Sequence, residues 1–118
     1  MKARVSVGII GLGRMGQIYA EHLARHGQVR IAAVSDLVGE RAAQLAAKFG
    51  VESWTADYRE VLQDRSIDAV FVTSSTSTHR QVVIAAAQAG KAIFCEKPIA
   101  LTLEDTDDMI AALDRTGV

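Results

Sequence analysis

The sequence predicts an α/β fold built on a doubly wound parallel sheet. Short apolar runs alternate with helical patterns along the whole chain. A glycine-rich turn, Gly11-Leu12-Gly13-Arg14-Met15-Gly16, directly follows the first apolar run. Asp36 stands twenty residues beyond Gly16, at the end of the second run. Together these predict five strands and five helices.

Residues 5–10 read as a buried strand, apolar on both faces as in parallel sheets. A helix over 15–26 is expected from Met15, Ile18, Tyr19, His22 and Leu23 at helical spacing, with Gly27 ending it. A second strand spans 29–35. An Ala-rich helix over 38–49 follows and closes at Gly50. A short third strand is read at 51–54, and a short helix at 58–62 takes Asp57 as N-cap. Residues 69–72 form the fourth strand. Ser77 or Thr78 caps a helix that runs to Ala89, with Gly90 closing it. Residues 92–95 form the fifth strand. Thr102 starts the last helix, with Asp105 at the capping-box position, and Gly117 ends it.

A complete fold of this kind has six strands in the order 3-2-1-4-5-6. The chain stops where the sixth is expected. That leaves strand five as an exposed edge, which proteins normally cover. Two readings follow: a piece of a longer enzyme, or an edge covered by a partner chain, including a homo-oligomer. The first is preferred, because connections in such folds are short.

Bulk composition narrows the function. Of 118 residues, 49% are hydrophobic and 23% charged, and the net charge is −1. Nothing argues for nucleic acid or an anionic membrane surface. No apolar stretch approaches the ~20 residues of a membrane span. The start, Met1-Lys2-Ala3-Arg4, is basic, but the apolar run behind it is too short for a signal-peptide core. A single cysteine, Cys95, excludes an internal disulfide and offers no metal cluster, so no metal site is expected. Cys95 reads as a small buried hydrophobe in a reducing cytoplasm. His22 and His26 read as structural, and Trp54 and Tyr58 as packing residues around the third strand.

The glycine turn carries the first chemistry. Gly11 permits the tight turn, Gly13 lets a pyrophosphate approach the backbone, and Gly16 allows close helix–strand packing. The helix that opens at Met15 offers unpaired N–H groups to phosphate. Arg14 lies inside the turn, either as a pyrophosphate donor or as a solvated first-turn arginine. Asp36 is placed to accept from the adenosine ribose hydroxyls, against the bland reading of a local helix cap. Its charge repels a 2′-phosphate, which favours NAD over NADP. Arg41, one helical turn on, keeps NADP as the minority reading.

Two further motifs fall at the carboxyl edge of the sheet. Thr73-Ser74-Ser75-Thr76-Ser77-Thr78-His79 follows strand four, near the switch point where ligands bind. Most of these hydroxyls satisfy local backbone. Ser74, Ser75 and Thr76 are nearest a nicotinamide half, and His79 either meets the cofactor or packs on the loop. Glu96-Lys97-Pro98 follows strand five. A charged pair directly after a buried strand is costly unless it faces a cleft. Lysine there can donate to a substrate hydroxyl or relay a proton, against the reading of an ordinary loop ion pair beside a turn proline.

With Glu96-Lys97-Pro98 in view, the chain resembles the N-terminal Rossmann-type domain of the glucose–fructose oxidoreductase / inositol 2-dehydrogenase family (Gfo/Idh/MocA). The resemblance runs over essentially the whole chain. It rests on residues 11–16, Asp36, Asp57-Tyr58, Ile67-Asp68-Ala69-Val70, Thr76-Ser77-Thr78-His79, Ala89-Gly90-Lys91 and Cys95-Glu96-Lys97-Pro98. It implies NAD- or NADP-dependent oxidation of a secondary alcohol of a sugar, inositol or similar polyol. It also implies that Lys97 is the substrate-binding, proton-relay lysine and that Glu96 lies near the nicotinamide ribose. Gly11, Gly13, Arg14, Met15 and Asp36 are implied to line the adenosine and pyrophosphate half, and Ser74, Ser75 and Thr76 the loop beside nicotinamide. Ser75 departs from the pattern, where proline is common.

The family's second domain, which completes the substrate pocket and proton relay, has no counterpart in this sequence. The expectation is one dinucleotide-binding domain over 1–118 that binds NAD and does not turn over polyols alone. The alternative is a non-catalytic dinucleotide-binding or sensing module complete at this length.

Overall fold

The computed structural model describes residues 4–118. Met1, Lys2 and Ala3 of the basic start lie outside the described residues. Five strands form one parallel sheet: β1 (Val5–Ile10), β2 (Val29–Ser35), β3 (Ser53–Thr55), β4 (Ala69–Val72) and β5 (Ala92–Cys95). Their order is β3-β2-β1-β4-β5, the expected order without a sixth strand. The helices are α1 (Arg14–Ala24), α2 (Gly39–Phe49), α3 (Tyr58–Gln63), α4 (His79–Gln88) and α5 (Leu103–Thr116), with a 3-10 turn at Thr76–Thr78.

Neighbouring residues on a strand point to opposite faces, so an all-apolar strand builds two cores. Ile9, Leu12 and Val34 pack with Ala20 of α1 and with Ala42, Leu45 and Ala46 of α2. Ile10, Ala33, Val70 and Val72 pack on the other face with Val61 and Leu62 of α3, Val82, Val83 and Ala86 of α4, and Met109 of α5. Ile10 is level with both Ser35 and Val72, and Val72 is level with Cys95. The loops that leave β2, β1, β4 and β5 therefore start from one common edge.

Several boundaries differ from the sequence expectation. Helix α1 ends at Ala24, not at residue 26, because the Arg25 and His26 N–H groups bond back to the His22 and Leu23 carbonyls. Gly27 is not left-handed and caps nothing. The buried stripe of α1 is Gly16 and Ala20, so His22 and Met15 are exposed. His26 is exposed as well, its Nδ1 accepting from the Gln28 N–H.

Strand β3 starts two residues late. The Val51 N–H closes α2 by bonding to the Ala46 carbonyl beyond the left-handed Gly50, which takes Val51 out of the sheet. Trp54 is 50% exposed rather than core, with its ring beside Gly39 at the start of α2. Thr78 makes no side-chain cap to α4. The caps at Asp57 and Thr102 form as expected, accepting from the Arg59 and Asp105 N–H groups. At the start of β5, the buried Lys91 Nζ donates to the carbonyls of Asp64 (2.6 Å) and Ile67 (2.8 Å). A buried ammonium is tolerated there because backbone acceptors meet it.

Candidate functional site

The three glycines of the β1 turn do three different jobs. Gly11 has φ +98°, and a Cβ on it would collide with the backbone of Thr73 and Ser74. The β1 and β4 turns are thus in direct contact, tied further by Thr73 Oγ1 donating to the Gly11 carbonyl at 2.7 Å. A Cβ on Gly16 would strike the Gly11 carbonyl oxygen, so only glycine lets α1 close down on the turn. A Cβ on Gly13 would meet nothing within 4 Å. Gly13 is bare backbone facing open space, which is the geometry a phosphate requires. It is also the N-cap of α1 and adds no side-chain cap, leaving the first-turn N–H groups for an anion.

Asp36 is fixed before any ligand arrives. Its Oδ1 accepts from the Leu12 N–H at 2.9 Å and its Oδ2 from the Val38 N–H at 3.0 Å. Arg41 Nη1 stands 3.6 Å from Oδ2. A carboxylate has about four lone-pair positions, so two remain for hydroxyl donors. The local-cap reading and the ribose reading are therefore compatible. The bond to Leu12 also ties the acidic residue to the middle of the glycine turn.

These groups open onto a cavity of about 630 Å³. Gly11, Gly13, Arg14, Met15 and Asp36 line it, and Ser74 and Ser75 close one side. Leu37, 85% exposed, and Val38 form an apolar lip. Two other hollows, of about 270 and 330 Å³, share none of these lining residues. Tyr58, Thr78 and Gln81 also line the large cavity and were missed from sequence. Tyr58 carried a signal, since it opens a helix whose core-facing residues are Val61 and Leu62. Gln81 carried none.

Gly16, Thr76, His79, Glu96 and Lys97 do not line the cavity. His79 is 1% exposed, which favours loop packing over cofactor contact, the two readings its motif left open. Its Nε2 faces the Ser74 carbonyl at 2.9 Å, and its Nδ1 faces those of Pro98 and Ile99, each at 3.1 Å. An N–H on Nε2 meets the β4 loop and one on Nδ1 meets the β5 loop, and the buried ring packs between the two loops. In the hydroxyl loop, Thr78 Oγ1 donates to the Ser75 carbonyl at 2.7 Å. Its only proton is then used, so Ser74 Oγ is the donor in the 2.7 Å Ser74–Thr78 bond.

Glu96 and Lys97 stand at the same edge, where the Glu96 N–H bonds to the Val72 carbonyl at 3.0 Å. Glu96 does not pair with the Lys97 ammonium. Its Oε2 accepts from the Tyr19 hydroxyl at 2.6 Å and its Oε1 from the Lys97 backbone N–H at 3.1 Å. Lys97 is exposed, and Nζ has no partner among the described residues. The Lys97–Pro98 peptide is cis. Asp36 lies three strand spacings from Glu96 along the edge, or about 14 Å. Just before it, burial and the Glu96 carboxylate push the Cys95 thiol up to about 11.

A parallel sheet in this order, with a bare glycine turn at its switch point and an acidic residue after the next strand, defines a dinucleotide-binding Rossmann domain. The charged pair Glu96-Lys97 stands after β5 on the same edge of the sheet. The chain belongs to the Gfo/Idh/MocA family, whose profile, "Oxidoreductase family, NAD-binding Rossmann fold", matches residues 5–118.

Among relatives, the myo-inositol 2-dehydrogenase of Thermotoga maritima is 44% identical over 112 residues, covering 95% of this chain and 34% of that protein. The scyllo-inositol 2-dehydrogenase (NAD(+)) of Bacillus subtilis is 40% identical, covering 100% of this chain and 35% of its own. A crystal structure of scyllo-inositol dehydrogenase from Lactobacillus casei with bound NAD(H) and scyllo-inositol superposes with a TM-score of 0.90 at 31% identity, over 97% of this chain and 34% of that one. The chain spans about a third of the length of the curated relatives it matches. Among the described residues, no helix is long and apolar enough to cross a membrane.

Proposed function

We propose that this chain is the coenzyme-binding domain of an NAD-dependent dehydrogenase that oxidises a secondary alcohol of a polyol of the inositol class. The observation that carries the reading is the common edge that sets the glycine turn, the hydroxyl loop and Glu96-Lys97 side by side. NAD, when bound, supplies the acceptor for the hydride that leaves the alcohol carbon. Gly13 and the N-terminus of α1 take the pyrophosphate, with Arg14 as a charged donor beside it. Asp36 accepts from the adenosine ribose. Ser74 and Ser75 face the nicotinamide half, and Glu96 holds its ribose. Lys97 Nζ donates to the substrate hydroxyl and, in its neutral amine form, relays that hydroxyl's proton.

NAD is favoured over NADP because Asp36 repels a 2′-phosphate and already pairs with Arg41, a cation at the same part of the cavity. The 118 residues form one cofactor domain that binds NAD and does not oxidise polyols without a second domain. Titration with both cofactors, followed by a steady-state assay with myo- and scyllo-inositol, tests this. NAD binding without turnover is the expected result. Tighter NADP binding overturns the cofactor preference, and turnover by these residues alone overturns the division of labour. In a longer form that is active, Lys97→Ala abolishes turnover; unchanged kinetics would remove Lys97 from the mechanism.

A further inference from the structure

We propose that Tyr19, on the helix that receives the cofactor phosphates, is the positioning residue for Lys97, acting through the carboxylate of Glu96. The proposal rests on the reading of Glu96 and Lys97 given above, and its geometry is independent of that reading. The Tyr19 hydroxyl donates to Glu96 Oε2 at 2.6 Å, a contact between residues 77 apart in sequence. The other oxygen of the same carboxylate accepts from the Lys97 N–H at 3.1 Å. Glu96 is thereby a two-ended link, with one oxygen on α1 and the other on the Lys97 backbone.

The phenol ring itself is held. It lies 5.1 Å from the Phe94 ring, edge-on, and 5.7 Å from the Phe71 ring, while Phe71 and Phe94 stack at 4.9 Å. Those two phenylalanines are registered partners on β4 and β5. Tyr19 therefore reads the position of β5 through its ring and fixes the loop beyond it through its hydroxyl. Donation to the Glu96 carboxylate raises the Tyr19 phenol above its ordinary value, so the hydroxyl keeps its proton at neutral pH. On the far side of Lys97, the buried His79 ring packs against the loop with Nδ1 facing the Pro98 and Ile99 carbonyls. Lys97 sits between two anchors, and its own side chain is the part left free.

The first turn of α1 carries Arg14 and Met15, both at the cavity. The same rigid helix thus touches the pyrophosphate end and, through Tyr19, sets the loop that bears Lys97.

Tyr19→Phe keeps the ring and removes only the hydroxyl. Backbone amide NMR of the chain is expected to show lower heteronuclear NOE values at Glu96 and Lys97, with core amides of β1 and β4 unchanged. NAD affinity is expected to fall by up to about tenfold, the scale of one bond to a charged acceptor. Affinity for ADP, which ends before the nicotinamide ribose, is expected to stay as in wild type. Unchanged order at residues 96 and 97 overturns the proposal. Equal loss of NAD and ADP affinity also overturns it, because Tyr19 then serves the glycine turn rather than the β5 loop. Glu96→Ala separates the two readings. If it leaves NAD affinity untouched, the ribose contact fails, and the NMR comparison alone decides the role of Tyr19.

Discussion

At the β1–β2 end of the sheet edge, the chain holds each functional group itself. Asp36 is gripped by Leu12 and Val38, Gly11 by Thr73, and α1 lies directly on the turn. At the β5 end the reverse holds. Lys97 is exposed without a side-chain partner among the described residues, Phe94 is 41% exposed, and the loop hangs on Tyr19 and His79. The first end is rigid because βαβ packing forces it. The second has its backbone set and its chemistry unpartnered. A domain built this way holds its glycine turn and Asp36 firmly and leaves the Lys97 side chain free of partners among the described residues.

Substitutions at the two ends break the comparison most sharply. Gly11→Ala places a methyl on the Thr73–Ser74 backbone at φ +98°. It is expected to cost about 3 kcal/mol or more, from strain plus overpacking, read as a lower urea midpoint. Lys97→Ala is expected to change stability by less than about 0.5 kcal/mol in the same experiment. Comparable losses at both sites would erase the contrast.

Lys91→Met sharpens it from the opposite end of β5. Two buried carbonyls lose their donor, and a loss of roughly 2 kcal/mol is expected. A neutral result would mean that the start of β5 is as loosely held as the loop after it.

Asp36→Asn comes next. It removes the charge that pairs with Arg41 and one acceptor from the Leu12–Val38 pair. NAD affinity is expected to drop about tenfold, with stability lower by about 1 kcal/mol. NADP gains relative to NAD as Arg41 is released. Calorimetric titration with both cofactors checks this, and an unchanged ratio speaks against Asp36 as the selector.

The smallest effect is at Cys95. Its thiol sits at about 11 against an ordinary 9.0, so the folded chain keeps a proton that the unfolded chain releases. That contribution is complete below pH 9 and is lost as pH rises through about 11. At pH 8 the folded thiol is expected to react with iodoacetamide roughly a hundredfold more slowly than the denatured chain. Equal rates would show that the end of β5 is open even to small reagents.

The strands were readable because each combines an apolar run with a glycine, proline or acidic stop. Strands β1, β2, β4 and β5 match to the residue, and the glycine turn and Asp36 follow from spacing alone. What escaped was tertiary. Val51 has strand character but is spent closing α2. His79 looked like a ligand because its motif borders the site, while its burial depends on the distant Pro98 loop. Tyr19 looked like helix core, and its hydroxyl bond to Glu96 exists only once α1 and β5 share a face. One-dimensional periodicity cannot register such partners.

Trp54, half-exposed beside Gly39, is the single tryptophan of the chain. Its neighbour Ala56 lines the same cavity as Asp36. The indole is therefore a built-in optical probe. Its emission overlaps nicotinamide absorption when the cofactor is reduced, and energy transfer across the cavity reports occupancy without a label. The domain carries its own binding signal at the end of the site that is already complete.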